Sequence, residues 1–148
     1  MSGGQPLTTA TVERVLPAPP AEVYDAWLDE VALREFMCPD PCLSTEVEVD
    51  PKPGGRFRIV MSFTDRRQEI VGEYIALDRP DRISFTWRHA EVPDSVVTIT
   101  FAPHGSDETL MTITHSRLPV ELVQSHTGGW GSISEKLAAR LGGRAVQP

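Results

Sequence analysis

Between residues 55 and 115 the chain alternates apolar and polar side chains with a period of two, and after Pro119 the period lengthens to three or four. The first pattern is that of strands with one wet and one dry face, the second that of a helix with one apolar stripe. Parity puts Phe57, Ile59, Met61 and Phe63 on one side of a strand, with Arg56 and Arg58 on the other. It groups Ile70, Gly72 and Tyr74, then Ile83, Phe85 and Trp87, then Val97, Ile99 and Phe101, and finally Met111, Ile113 and His115. Ser84, Thr86, Arg88, Thr98, Thr100, Thr112 and Thr114 take the opposite, solvent face. Strands are expected at about 44–50, 55–63, 68–77, 82–89, 94–102 and 108–115. The links between them are short and rich in Pro, Gly and Asp, such as Asp50-Pro51-Lys52-Pro53-Gly54-Gly55 and Arg79-Pro80-Asp81. Short links between consecutive strands make an antiparallel meander.

Ahead of the meander, residues 8–16 read as one more strand, stopped by Pro17, Pro19 and Pro20. Proline suits a helix's first turn, and Val23, Trp27 and Val31 follow at four-residue spacing, which predicts a helix over about 20–29. A second short helix is expected over 31–37. After Pro119, the spacing of Leu122, His126, Trp130, Ile133, Leu137 and Leu141 predicts a long C-terminal helix closed by Gly142-Gly143. Gly128, Gly129 and Gly131 weaken it, which implies either a start near Thr127 or a face that something approaches closely. The fold class is therefore α+β, a curved antiparallel sheet against a long C-terminal helix, with two short helices after the first strand. One domain over residues 8–142 is expected, with tails at 1–7 and 143–148.

Twenty-one acidic against 14 basic residues leave a charge of −7, so the chain advertises no phosphate-tracking surface, and nucleic acid is not an expected partner. No apolar run is long enough for a membrane span and the first residues lack a signal-peptide pattern, so a soluble, cytoplasmic protein is expected. Cys38 and Cys42 share one proline-rich segment without a second Cys/His pair, so no zinc site is expected. They read as structural thiols, with a redox-sensing disulfide as the alternative. Phosphate-loop and nucleophile-elbow motifs are absent, the four histidines show no metal-ligand spacing, and no cofactor is expected.

The concave face and the helix stripe together suggest a cavity. Its candidate lining is Phe57, Ile59, Met61, Tyr74, Phe85 and Trp87 from the first strands, and Ile99, Met111 and His115 from the later ones. His126, Trp130 and Ile133 come from the helix. An apolar pocket with a few polar groups is what a small-molecule site looks like. The competing reading is that the tryptophans fill volume and the histidines bond to backbone.

Several segments resemble a known family. They are residues 15–27, from Val15-Leu16-Pro17 to Ala26-Trp27, then Pro53-Gly54-Gly55-Arg56-Phe57, Gly72-Glu73-Tyr74, Arg79 to Trp87, and Gly129-Trp130-Gly131-Ser132-Ile133. They look like homologues of the C-terminal domain of the heat-shock-protein-ninety ATPase activator, in the START-like or SRPBCC superfamily, and run in order over about residues 8–141. The resemblance implies a helix-grip fold enclosing a cavity for an apolar ligand. Where many relatives carry tryptophan near the end of the second short helix, this chain has Phe36-Met37.

Three functions follow as expectations. A binding protein would hold a small hydrophobic molecule, with Trp87 and Trp130 supplying area and Tyr74, His115 and His126 orienting polar groups. A cyclase or dehydratase would use His115 or His126 as general base and Tyr74 as acid. A chaperone-interaction module would need an exposed patch instead, and 148 residues leave no room for the eukaryotic activator's separate N-terminal domain. A homodimer is compatible with each of these.

Overall fold

The structure is a computed structural model that describes residues 6–90 and 92–145. Its elements run β1 (Leu7–Leu16), α1 (Pro20–Ala26), α2 (Glu30–Phe36), β2 (Ser44–Val49), β3 (Arg56–Ser62), β4 (Arg67–Asp78), β5 (Arg82–His89), β6 (Val92–His104) and β7 (Glu108–Pro119). A 3-10 turn at Val120–Leu122 then leads into α3 (Val123–Ala145). The six strands β2 to β7 form the expected meander, and β1 closes on β7, giving one antiparallel sheet of order β1-β7-β6-β5-β4-β3-β2. This is the helix-grip arrangement.

The two short helices carry the chain from β1 at one sheet edge to β2 at the other. Pro20 occupies the first turn of α1, where its missing N–H is not needed. The helix expected over 20–29 stops at Ala26, because Asp29 turns out to be the N-cap of α2: its Oδ1 accepts from the Val31 N–H at 3.0 Å.

Strand parity holds on the concave face, where Phe57, Ile59, Ile70, Ile83, Val97, Ile99, Met111 and Ile113 are all buried. They join Trp130, Ile133, Leu137 and Leu141 of α3 in a single core. Ser84, expected on the solvent face, is buried there with its Oγ 3.3 Å from Thr98 Oγ1. Gly72 allows the sheet to bend, since a Cβ there would collide with the Thr86 carbonyl oxygen and the Phe57 ring.

The C-terminal helix starts at Val123, close to the Leu122 that opens the apolar spacing and not at the alternative start near Thr127, and runs unbroken through the glycine cluster. A bulge between β1 and β7, with Arg117 at a φ of 61°, sets up this start. Leu118 is thereby buried against Ala10 and Val92, with Leu122 and Val123 packed on the same small cluster. At the other end Gly142-Gly143 does not stop the helix, which reaches Ala145 and takes in part of the expected tail. Residues 1–5 and 146–148 lie outside the described residues, and the first strand already begins at Leu7. Among the described residues no helix is long and apolar enough to cross a membrane.

Candidate functional site

The concave face is closed by packing over most of its length and open at one end. There, the segment Cys38–Cys42, the facing parts of β3, β4 and β5 and the first half of α3 surround a cleft of about 630 Å³. Met61, Phe63, Ile70, Trp87, Trp130 and Ile133 supply its apolar wall, and His89, His126, Gln68, Gln124, Ser132 and the charged Arg66 and Asp40 its polar one. Gly128 and Gly129 bring bare helix backbone to the cleft, and a Cβ on Gly128 would meet nothing within 4 Å. Among the described residues nothing approaches this helix face closely: a Cβ on Gly129 would meet only Pro39, at 3.9 Å.

A hydrogen-bonded histidine network underlies the cleft. Trp130 Nε1 donates to Nδ1 of the fully buried His115 at 3.0 Å. An indole N–H can only donate, so Nδ1 is the bare nitrogen and Nε2 carries the proton. That proton goes to Ser95 Oγ at 2.8 Å, whose own hydroxyl donates to the Trp87 carbonyl at 2.6 Å. Burial pushes the His115 pKa down to about 3, and the adjacent His126 and His89 rings add to the shift. A second proton would displace the indole donor. His126 stands nearer the surface, its Nδ1 3.0 Å from the Leu122 carbonyl, and that nitrogen must therefore donate. Its Nε2 then accepts from His89 Nε2 at 3.2 Å, with the two rings stacked.

The loop that forms one wall is tied down on two sides. Cys38 and Cys42 form a disulfide, which replaces the expectation of structural thiols: the five-residue loop brings the two Cα atoms to 5.2 Å. The Asp40 N–H donates to Ser132 Oγ at 3.0 Å, and Lys136 Nζ donates to the Cys38 carbonyl and pairs with Asp40 at 3.0 Å. Pro39, Asp40 and Pro41 are thereby held against α3.

The structure separates the predicted lining into three groups. Met61, Trp87, His126, Trp130 and Ile133 face the cleft. Phe57, Ile59, Tyr74 and Phe85 surround a distinct inner space of only about 20 Å³, together with Trp27 and again Trp87. Ile99, Met111 and His115 are wholly buried and line neither space: α1 and α3 cover the end of the sheet that carries Ile99 and Met111, and Trp130 lies against His115. Burial also raises the Tyr74 pKa, with Asp50 and Glu30 adding to it, so the phenol keeps its proton. His89 was not among the predicted residues, although it continues the parity of Phe85 and Trp87. No group of three His, Cys, Asp or Glu side chains suited to a metal occurs among the described residues.

Residues 17–142 match the family model described as Activator of Hsp90 ATPase homolog 1-like protein. The chain belongs to that family. The comparison with curated proteins found no match. Among solved structures, protein CV1439 from Chromobacterium violaceum shares 30% identity over 90% of this chain and 96% of its own, with a TM-score of 0.79. A protein of unknown function, SA2116 from Staphylococcus aureus, superposes with a TM-score of 0.81 at 20% identity, covering 99% of this chain and 100% of its own. An HSP90 activator from Plasmodium falciparum shares the fold at 23% identity and a TM-score of 0.66, over 83% of this chain and 87% of its own.

Proposed function

We propose that the protein binds a small, largely apolar molecule in the cleft between β3–β5 and α3. The observation that carries this reading is the cleft itself. Its volume of about 630 Å³ falls in the range of small-molecule sites, and its apolar floor of Met61, Ile70, Trp87, Trp130 and Ile133 is edged by a few polar groups. Helix glycines that cost stability yet leave Gly128 facing open space support the same reading.

The acid–base alternative has less support. Both ring nitrogens of His115 are engaged within the protein, and Tyr74 lines the inner space whereas His126 lines the cleft. His115 therefore has no free ring nitrogen with which to act as base. The chaperone-interaction reading rests on family membership and on the likeness to the Plasmodium falciparum HSP90 activator.

The test is native mass spectrometry of protein purified from its own host, followed by titration with small aromatic probes. A bound mass released by organic solvent, together with saturable probe binding that Gly128→Leu abolishes, is expected. Protein that carries no mass, and takes up probes equally well with and without Gly128→Leu, overturns the reading.

A further inference from the structure

Trp87 belongs to the walls of both spaces, the open cleft and the inner one. Its side chain is 4% exposed and its Nε1–H has no hydrogen-bond partner among the described residues. Trp27, which also lines the inner space, is 3% exposed and its Nε1–H is also unpartnered among the described residues. The third indole, Trp130, has already given its proton to His115. Burying an indole N–H without an acceptor is costly, so two on one small space mark a place where an acceptor belongs.

Indole nitrogens only donate, and the third polar group on the wall, Tyr74, keeps its proton because burial raises its pKa, so it too has a proton to donate. Among the described residues no cationic side chain lines this space, so an anion would be desolvated there without a partner. The remaining wall, including Leu33, Phe57, Ile59 and Phe85, is apolar. The inner space of about 20 Å³ has room for roughly one oxygen atom and not for a ring.

We infer that the molecule held in the cleft ends, on its buried side, in a neutral carbonyl oxygen that accepts from the indole N–H groups of Trp87 and Trp27. Ketones, esters and lactones meet this description; carboxylates and plain hydrocarbons do not. The inference rests on the cleft being a ligand site, and it adds the class of ligand.

Three probes of one shape test it: 2-acetylnaphthalene, 2-isopropylnaphthalene and 2-naphthoate. The chain has three tryptophans, so a 15N-labelled sample gives three indole resonances to follow. The ketone is expected to shift the Trp27 and Trp87 indole protons downfield and the hydrocarbon to leave them in place. Trp87→Phe is expected to weaken the ketone about tenfold with little change for the hydrocarbon, the loss of roughly one buried hydrogen bond. The inference fails if the ketone leaves both indole protons unmoved, if Trp87→Phe affects the two neutral probes equally, or if the naphthoate binds best. Those failures leave the cleft standing as an apolar site, as would an inner space occupied by water alone. Absence of saturable binding by all three probes overturns the site reading and this inference together. Because the indole shifts are read on the unaltered protein, the test survives a variant that does not fold.

Discussion

The indole N–H of Trp130 on α3 fills the only nitrogen of His115 on β7 that could take up a proton. Sheet and helix are thus joined by a hydrogen bond that exists only while His115 is neutral. Folding holds its pKa near 3, whereas an unfolded histidine titrates at about 6.5. Between these values the unfolded chain binds one more proton than the folded one, so stability is full above about pH 6.5 and falls as the pH drops toward 3. Urea unfolding from pH 7.5 to 4.5 is expected to show a loss approaching about 1.4 kcal/mol per pH unit from this group at the acid end. The His115→Gln variant is expected to lose that component. An unaltered slope in the variant would show that His115 is not the source of the acid sensitivity. At neutral pH, the 15N shifts of His115 are expected to report the Nε2–H tautomer.

The close approach of Phe57 to Gly72 gives a second prediction. Register pairs the two residues across β3 and β4, and the Phe57 ring lies where a Gly72 Cβ would be. A ring can shift, but the Thr86 carbonyl on the other side is backbone within β5. Gly72→Ala is therefore expected to cost about 3 kcal/mol or more, above the usual range for a one-carbon insertion, because strand backbone has to move. Denaturant unfolding measures it. A cost under about 1 kcal/mol would mean that the bend at Gly72 relaxes freely.

Much of this fold was legible because the residues that set it act locally. Alternation along β3 to β7 assigns each side chain a face without reference to partners, and short Pro- and Gly-bearing links force antiparallel neighbours. Asp29 was missed as a cap because capping is decided by one φ/ψ pair, and its place after Leu28 also suits a continuing helix. The site was less legible. Parity tells which side of a strand Ile99 and Met61 face, but not how far along the sheet the helices cover it, and of the two only Met61 lines the cleft. The pairing of His115 with Trp130 and Ser95 joins three elements distant in sequence, and no local pattern carries such a triad.

The disulfide gives a third prediction. A cross-link around so small a loop restricts the unfolded chain modestly, by about 2 kcal/mol in the chain-entropy account. Thiol titration of the folded protein is expected to find no free cysteine, since both are paired. Reduction is expected to lower unfolding stability by about that amount. The fold itself is expected to persist, because Lys136, Asp40 and Ser132 still hold the loop to α3. Two reactive thiols in the folded, unreduced protein would contradict the pairing.

The glycine at position 128 sets stability against function. A helix interior favours alanine over glycine by about 0.5–1 kcal/mol, and the space beside Gly128 imposes no clash to offset that gain. Gly128→Ala is therefore expected to raise the denaturant midpoint, an unusual direction for a substitution beside a binding site. The added methyl group stands in the cleft, next to His126 and Trp130, where a bound molecule would lie. The same variant is expected to bind 2-acetylnaphthalene several-fold more weakly, one methyl group's worth of lost contact and added crowding. Gly131→Ala makes the control, since its Cβ also meets open space while Gly131 does not line the cleft. It is expected to stabilise by a similar amount and leave binding unchanged. Equal effects of the two variants on binding would show that helix dynamics, and not the shape of the cleft, sets affinity.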